Sequence, residues 1–82
     1  MHKQYLPSRI DYVAETKVCY ERDHMHKNPN VDILHFTLRG HWLAVESERG
    51  SFIYRVFVDG ELVREQINGA QLDAYVEWLQ QR

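Results

Sequence analysis

Cysteine, long apolar runs and catalytic motifs are all scarce in this sequence, and each scarcity excludes a class of protein. The single cysteine, Cys19, excludes an internal disulfide framework and favours a reducing compartment. No stretch approaches the roughly 20 apolar residues that cross a bilayer, and residues 1–12 hold no apolar run of signal-peptide length. We therefore expect a soluble cytoplasmic domain without a membrane partner.

Patterns for catalysis and for cofactor binding are missing as well. The sequence has no nucleophile elbow, P-loop or dinucleotide-binding motif, and its four glycines fall where turns between short strands are expected. Cys19 has no identifiable orienting acid, so we expect a small, half-buried strand residue. Acid–base chemistry by His35 or His41 has no motif behind it. These absences favour a non-enzymatic protein with no catalytic residues and no cofactor.

One group of side chains has the chemistry of a zinc site but not its spacing. Zn²⁺ accepts cysteine and histidine ligands, and a His-x-His pair on a strand places both imidazoles on one face. The group consists of Cys19, Asp23, His24, His26 and His35. Because there is no second cysteine and no standard zinc spacing, we expect solvated loop histidines and no metal site.

The residues that are present suit one small globular domain spanning positions 1–82. The chain has 82 residues, of which 44% are hydrophobic and 12% aromatic. Its formal net charge of -2 gives no overall attraction to nucleic acid. A chain of this length buries only about 60% of its unfolded surface, so a homodimer would help to complete the core.

Apolar periodicity predicts an α+β fold, with an antiparallel sheet of four or five strands and one C-terminal helix on one face. The predicted strands cover residues 16–22, 31–39, 42–46, 51–58 and 61–67, and Ile10 and Tyr12 could add a short one. The helix follows Asn68 as N-cap. Its apolar stripe is Leu72, Val76 and Leu79, widened by Tyr75 and Trp78.

Turn lengths then predict which side chains share a face of the sheet. A two-residue turn at Asp59-Gly60 predicts the pairs Val58–Glu61, Phe57–Leu62, Val56–Val63 and Arg55–Arg64. A four-residue loop at 47–50 predicts the pairs Val45–Phe52, Leu43–Tyr54 and Trp42–Arg55. The helix side would hold Phe52, Tyr54, Val56, Val58, Val63 and Ile67, and the outer side Ile53, Arg55, Phe57, Leu62 and Arg64.

The stretch LHFTLRGHWLAV changes phase between Leu38 and Leu43. We interpret the break at residues 39–41 as a β-bulge at Gly40, which turns Trp42 outward. The predicted binding surface is then an aromatic and basic patch on the outer side, made of Arg39, Trp42, Arg55, Phe57, Leu62 and Arg64. Tryptophan and arginine are frequent at binding hot spots. In the alternative interpretation, Trp42 only shields the sheet and Glu46 neutralises an arginine.

Three segments, TKVCYER, LRGHWL and VFVDGELV, resemble the SymE-type toxin family. The matching residues are Lys17, Val18, Tyr20, Leu38, Gly40, Trp42, Leu43, Gly60 and Leu62, within residues 16–63. The family usually continues after Trp-Leu with Ala-Gly-Phe, whereas AVESERGSF stands here and a C-terminal helix is added. The resemblance implies a swapped-hairpin dimer, related to AbrB-type DNA-binding domains, that acts on RNA or DNA.

The favoured function is a small binding module that blocks or regulates a macromolecular partner, such as a host protein or protein complex. Mobile-element or phage-type inhibitors, anti-CRISPR proteins among them, are single small domains of this kind. One alternative is a SymE-like toxin with a nucleic-acid partner. A second alternative is a homodimerisation module.

Overall fold

A computed structural model describes residue 10, residues 13–22 and residues 30–82. These residues form an α+β fold with a five-stranded antiparallel sheet, in which each strand pairs with the next along the chain. The elements are β1 Cys19–Arg22, β2 Val31–Leu38, β3 His41–Glu48, β4 Tyr54–Val58, β5 Glu61–Ile67 and the C-terminal helix α1 Gly69–Gln81. The predicted fold class is confirmed.

The stretch that changes phase is a hairpin between two strands, so the predicted bulge is wrong. Leu38 pairs with His41 across a two-residue turn, and both turn residues have positive φ, 55° at Arg39 and 78° at Gly40. This turn geometry matches the right-handed twist of the flanking strands, and glycine adopts it without strain. Pairing across the hairpin places Phe36 opposite Leu43, on one face.

The β4–β5 hairpin confirms two predicted pairs and contradicts two. Val58 pairs with Glu61 and Phe57 with Leu62, as expected from the Asp59-Gly60 turn, but Val56 lies opposite Arg64 and Tyr54 opposite Ile67. β5 therefore carries extra residues at two places, and Gln66 has a φ of 59°. These irregularities let both Val63 and Ile67 contact the core. The predicted Val56–Val63 and Arg55–Arg64 pairs are wrong.

The predicted register between β3 and β4 is also wrong. Val45 pairs with Val56, Leu43 with Val58 and Glu46 with Arg55. Residues 51–53 lie outside the strands, so Phe52 is 61% exposed and not in the core. The observed register sets β-branched and aliphatic side chains opposite each other and pairs opposite charges, both of which stabilise a sheet.

One face of the sheet packs against α1 and forms the main core. Its buried members are Ile10, Leu34, Phe36, Leu38, Leu43, Val45, Tyr54, Val56, Leu72, Val76 and Leu79. The predicted helix stripe of Leu72, Val76 and Leu79 is thus confirmed, and Tyr75 widens it as predicted, whereas Trp78 is half-exposed and does not. Each fully buried side chain of this kind contributes about 1.5–3 kcal/mol. Asn68 caps α1 as predicted, because its side chain accepts a bond from the backbone N–H of Gln71.

The N-terminal segment contributes to the same core in a way the sequence did not indicate. Ile10 is fully buried and helical, and the backbone N–H of Ala14 donates to its carbonyl at 3.0 Å. This is the spacing of a helical turn, so a strand at Ile10 is wrong. Tyr12 lies outside the described residues. The opposite side of the sheet, called the outer face below, carries a smaller cluster of Val31, Ile33 and Ala44.

Candidate binding site

Trp42 lies on the outer face, as predicted, and is 46% exposed. Its indole stacks on the imidazole of His35, with 5.5 Å between ring centroids and 2° between ring planes. The hairpin brings these rings together, since Trp42 pairs with Thr37 and His35 lies two positions earlier on β2. The indole is therefore supported on one side by a neighbouring ring.

An apolar row continues from His35 across the outer face. Ala44, Phe57 and Leu62 occupy successive paired positions on β3, β4 and β5. Phe57 is half-buried against Ala44, and Leu62 is 43% exposed at the edge strand. We call His35, Trp42, Phe57 and Leu62 the outer patch. It retains three residues of the predicted binding surface: Trp42, Phe57 and Leu62.

Arg55 belongs to the outer face but does not lie opposite Trp42. Its guanidinium donates to Glu46 Oε1 through Nε at 3.3 Å and through Nη2 at 3.2 Å. The predicted contact between Trp42 and Arg55 is thus replaced by an ion pair with the residue directly across the strands. This arrangement agrees with the alternative interpretation, in which Glu46 neutralises an arginine.

Arg64 and Arg39 leave the predicted patch altogether. The Arg64 guanidinium carbon lies 4.8 Å from the centroid of the Tyr75 ring on α1, which places this side chain on the helix side. Arg39 lies in the β2–β3 turn, and its Nη2 donates to the carbonyl of Arg82 at 2.5 Å. The bulge in β5 explains the first displacement, since it moves Arg64 opposite the core residue Val56.

The backbone of Trp42 is held by the β4–β5 turn. Its N–H donates to Asp59 Oδ1 at 3.0 Å, and its carbonyl accepts from the Asp59 N–H at 2.7 Å. Asp59 Oδ2 accepts from His41 Nδ1 at 2.7 Å. The bonds from His41 and from the Trp42 backbone stabilise the carboxylate and lower the pKa of Asp59 below its ordinary value. One carboxylate thereby joins two hairpin turns beside the exposed indole.

The outer face does not assemble a nucleophile. Cys19 is exposed, not half-buried as predicted. It lies on β1, directly opposite His35 on the neighbouring strand β2. Its thiol donates to the Lys17 carbonyl at 3.7 Å, while His35 Nε2 and Glu21 Oε1 approach to 3.0 Å. In the described part of the chain, no hydrogen bond joins the thiol to the imidazole, so a cysteine–histidine pair is not formed.

Metal-ligating side chains do not gather in the described ranges either. Among residues 10, 13–22 and 30–82, no three His, Cys, Asp or Glu side chains are arranged to hold a metal ion. The other candidate ligands, Asp23, His24 and His26, lie outside these ranges.

Across the same described residues, no helix has the length and apolar character needed to cross a membrane.

Sequence reasoning missed the residues that support the patch. His35 was considered only as a metal ligand or an acid–base residue, and Asp59 only as a turn residue. Both supports depend on the β2–β3 hairpin, which brings His35 beneath Trp42 and the second turn beside it. The available sequence signal was Gly40 between two alternating segments, since a glycine there permits the positive φ that a two-residue turn requires.

Comparisons with known protein families, curated proteins and solved structures found no match for this chain. The resemblance to the SymE-type toxins therefore stays a prediction.

Proposed function

We propose that the chain is a small non-enzymatic binding module whose outer patch engages a protein partner and thereby blocks or regulates it. The observation that carries this proposal is the exposed indole of Trp42, supported by the His35 ring and anchored at its backbone by Asp59. An aromatic side chain whose position is already fixed loses little conformational entropy on binding.

The composition of the outer patch supports a binding role. Trp42 is 46% exposed and Leu62 is 43% exposed, on a face that α1 does not cover. Tryptophan is strongly enriched among the residues that dominate binding energy, and such residues are surrounded by apolar contacts that exclude water. Phe57, half-buried on β4, would provide part of those surrounding contacts.

The charges of the outer face favour a protein partner over nucleic acid. Glu46 pairs with Arg55 at 3.2 Å, and Glu21 lies 3.0 Å from His35. A phosphate backbone would have to compete with Glu46 for the guanidinium, whereas an apolar protein surface would leave the pair intact. Polar pairs around an apolar centre are the usual arrangement of a protein–protein interface.

Inhibition by occlusion is the specific form of this proposal, as for a mobile-element or phage-type inhibitor such as an anti-CRISPR protein. A single small domain can cover a functional surface of a larger host protein without any chemistry of its own. Its support is the combination of a fixed hydrophobic patch with the absence of an assembled nucleophile or metal cluster among the described residues.

The test is co-purification from extract of the native host, with and without nuclease treatment, using the tagged wild-type chain and the Trp42→Ala variant. We expect a host protein to co-purify with the wild type and Trp42→Ala to weaken its binding by roughly 30-fold or more, the effect of losing a hot-spot side chain. Phe52→Ala is the matched control, because Phe52 is an exposed aromatic residue in the loop between β3 and β4. It should bind as the wild type does.

Other outcomes would contradict the proposal in recognisable ways. Equal retention by Trp42→Ala would remove the outer patch from the interface. Loss of the partner on nuclease treatment would indicate that nucleic acid bridges the two. A purified chain with twice the expected mass, returning to the monomer mass in Trp42→Ala, would identify the patch as a homodimer interface.

A further inference from the structure

A second aromatic surface runs along α1 and alternates with arginines. The guanidinium carbon of Arg64 lies 4.8 Å from the Tyr75 ring centroid, and that of Arg82 lies 4.8 Å from the Trp78 ring centroid. The two rings are neighbours, with centroids 5.6 Å apart and planes tilted by 37°. We call these four residues the helix strip. Trp78 is 50% exposed, so the strip is open to solvent.

The helix keeps its own acidic residues away from this strip. At about 100° per residue, Tyr75, Trp78 and Arg82 follow one flank of α1. Asp73 and Glu77 project from the opposite flank, and the buried stripe that includes Val76 lies between the two. The helix strip is therefore a positively charged flank on a chain whose formal net charge is -2.

The arginines of this region have no aspartate or glutamate partner in the described part of the chain. None of Arg39, Arg64 and Arg82 has a described Asp or Glu oxygen within 4.0 Å. Arg64 donates to the Val63 carbonyl and Arg39 to the Arg82 carbonyl. The second bond brings a third guanidinium to the end of the strip. The Val63 carbonyl does not neutralise Arg64, so this part of the strip retains an attraction for anions.

We propose that the helix strip, together with Arg39, binds single-stranded nucleic acid. Exposed aromatic rings offer stacking platforms to unpaired bases, and neighbouring arginines contact the phosphates. An acidic peptide would use the guanidinium groups but would gain little from a half-exposed indole between them. This surface lies on the other side of the sheet from the outer patch, so the inference does not depend on the proposed protein partner.

The test follows Trp78 fluorescence during titration with oligouridine or oligothymidine. The chain has two tryptophans, so Trp42→Phe leaves Trp78 as the sole indole reporter. We expect quenching at low salt and a slope of log affinity against log salt near -2, since each of three phosphate contacts contributes about -0.7. Arg64→Gln, Arg82→Gln and Arg39→Gln should each reduce the slope by about 0.7.

A labelled oligonucleotide, followed by anisotropy, measures the stacking contribution. Trp78→Leu should weaken its binding by about 5- to 100-fold, the effect of losing one base–aromatic stack. Phe52→Ala, an exposed aromatic outside the strip, should leave binding unchanged. Circular dichroism of each variant would verify that it is folded before binding is measured.

Three outcomes would overturn the inference. Absence of quenching at 20 mM salt and millimolar oligonucleotide, roughly the weak end of non-specific binding, would exclude a useful affinity. Binding that persists unchanged in folded Trp78→Leu would place the nucleic acid elsewhere on the chain. Poly-glutamate that binds as tightly as the oligonucleotide would reduce the strip to a general anion site.

Discussion

The outer face and the helix strip both carry an exposed tryptophan and an arginine, yet the arginine has a different partner on each surface. On the outer face, Arg55 is paired with Glu46 and Trp42 stacks on His35. On the helix, Arg82 lies over Trp78 itself. The first surface is apolar at its centre with its charges satisfied, whereas the second presents charge together with its rings. Similar composition therefore supports two different kinds of partner.

The largest expected difference is between a buried and an exposed side chain of α1, the helix that carries the helix strip. The side chain of Leu72 on α1 is fully buried, so Leu72→Ala should lower the free energy of unfolding by about 2–5 kcal/mol. Trp78→Ala should cost under about 1 kcal/mol, because the indole is half-exposed and outside the buried stripe. Urea denaturation followed by circular dichroism measures both. Equal losses would mean that the indole is part of the core and not a binding surface.

The next contrast compares a glycine beside each surface. Gly40 has a φ of 78° next to Trp42, so Gly40→Ala should destabilise the chain by roughly 1–2 kcal/mol through backbone strain alone. Gly69 begins α1 without such a φ, and nothing lies within 4 Å of an added Cβ. Gly69→Ala should stabilise by about 0.5 kcal/mol. Thermal melts would show whether Gly40→Ala lowers and Gly69→Ala raises the melting temperature. An unchanged melting temperature in Gly40→Ala would contradict the hairpin geometry.

A smaller effect is expected from the ion pair of the outer face. A double-mutant cycle with Glu46→Gln and Arg55→Gln should give a coupling of about 0.2–1 kcal/mol, as for other partly exposed pairs. The same Glu46→Gln change should give the outer face a new, salt-sensitive affinity for oligonucleotide, because Arg55 would lose its partner. If oligonucleotide binding is unaffected, charge pairing is not what separates the two surfaces.

The smallest effect is expected at Asp59, whose side chain is 55% exposed. Its pKa in the folded chain lies below the ordinary value of 3.8, so its contribution to stability is present above that value and is lost as pH falls through the lowered pKa. Asp59→Asn should therefore be less stable than wild type at neutral pH, with the difference disappearing in strong acid. Melting curves across pH 2–7 provide the measurement, and a difference independent of pH would contradict this linkage.

Local patterns were sufficient for the elements of the fold but not for their register. The Asn68 cap, the helix stripe around Val76 and the Asp59-Gly60 turn are short-range features, and each was predicted correctly. The extra residues in β5 follow no residue pattern, because a bulge is selected by what it lets the neighbouring side chains bury. Val63 and Ile67 both reach the core only because of them.

The failure to predict strand register also explains why only part of the predicted binding surface was correct. Trp42 was predicted to face outward from a supposed bulge, and it does so because of a turn. Arg55 and Arg64 were predicted as neighbours from an unbroken register, and a shift in β5 separates them onto opposite faces. The rings that Arg64 and Arg82 approach were assigned only to the helix core. Packing of α1 against the sheet, which sequence periodicity does not specify, creates the contact between Arg64 and Tyr75, whereas Arg82 and Trp78 are one helical turn apart on the same element.

The bond between Arg39 and Arg82 also has a consequence for the order in which the chain folds. It joins residues 43 positions apart, across three strands and the whole of α1. Closing so long a segment costs more chain entropy than forming any neighbouring hairpin, so this bond forms after the strands and helix are in place. We therefore expect Arg39→Gln to speed unfolding and to leave the folding rate nearly unchanged, which stopped-flow kinetics would measure.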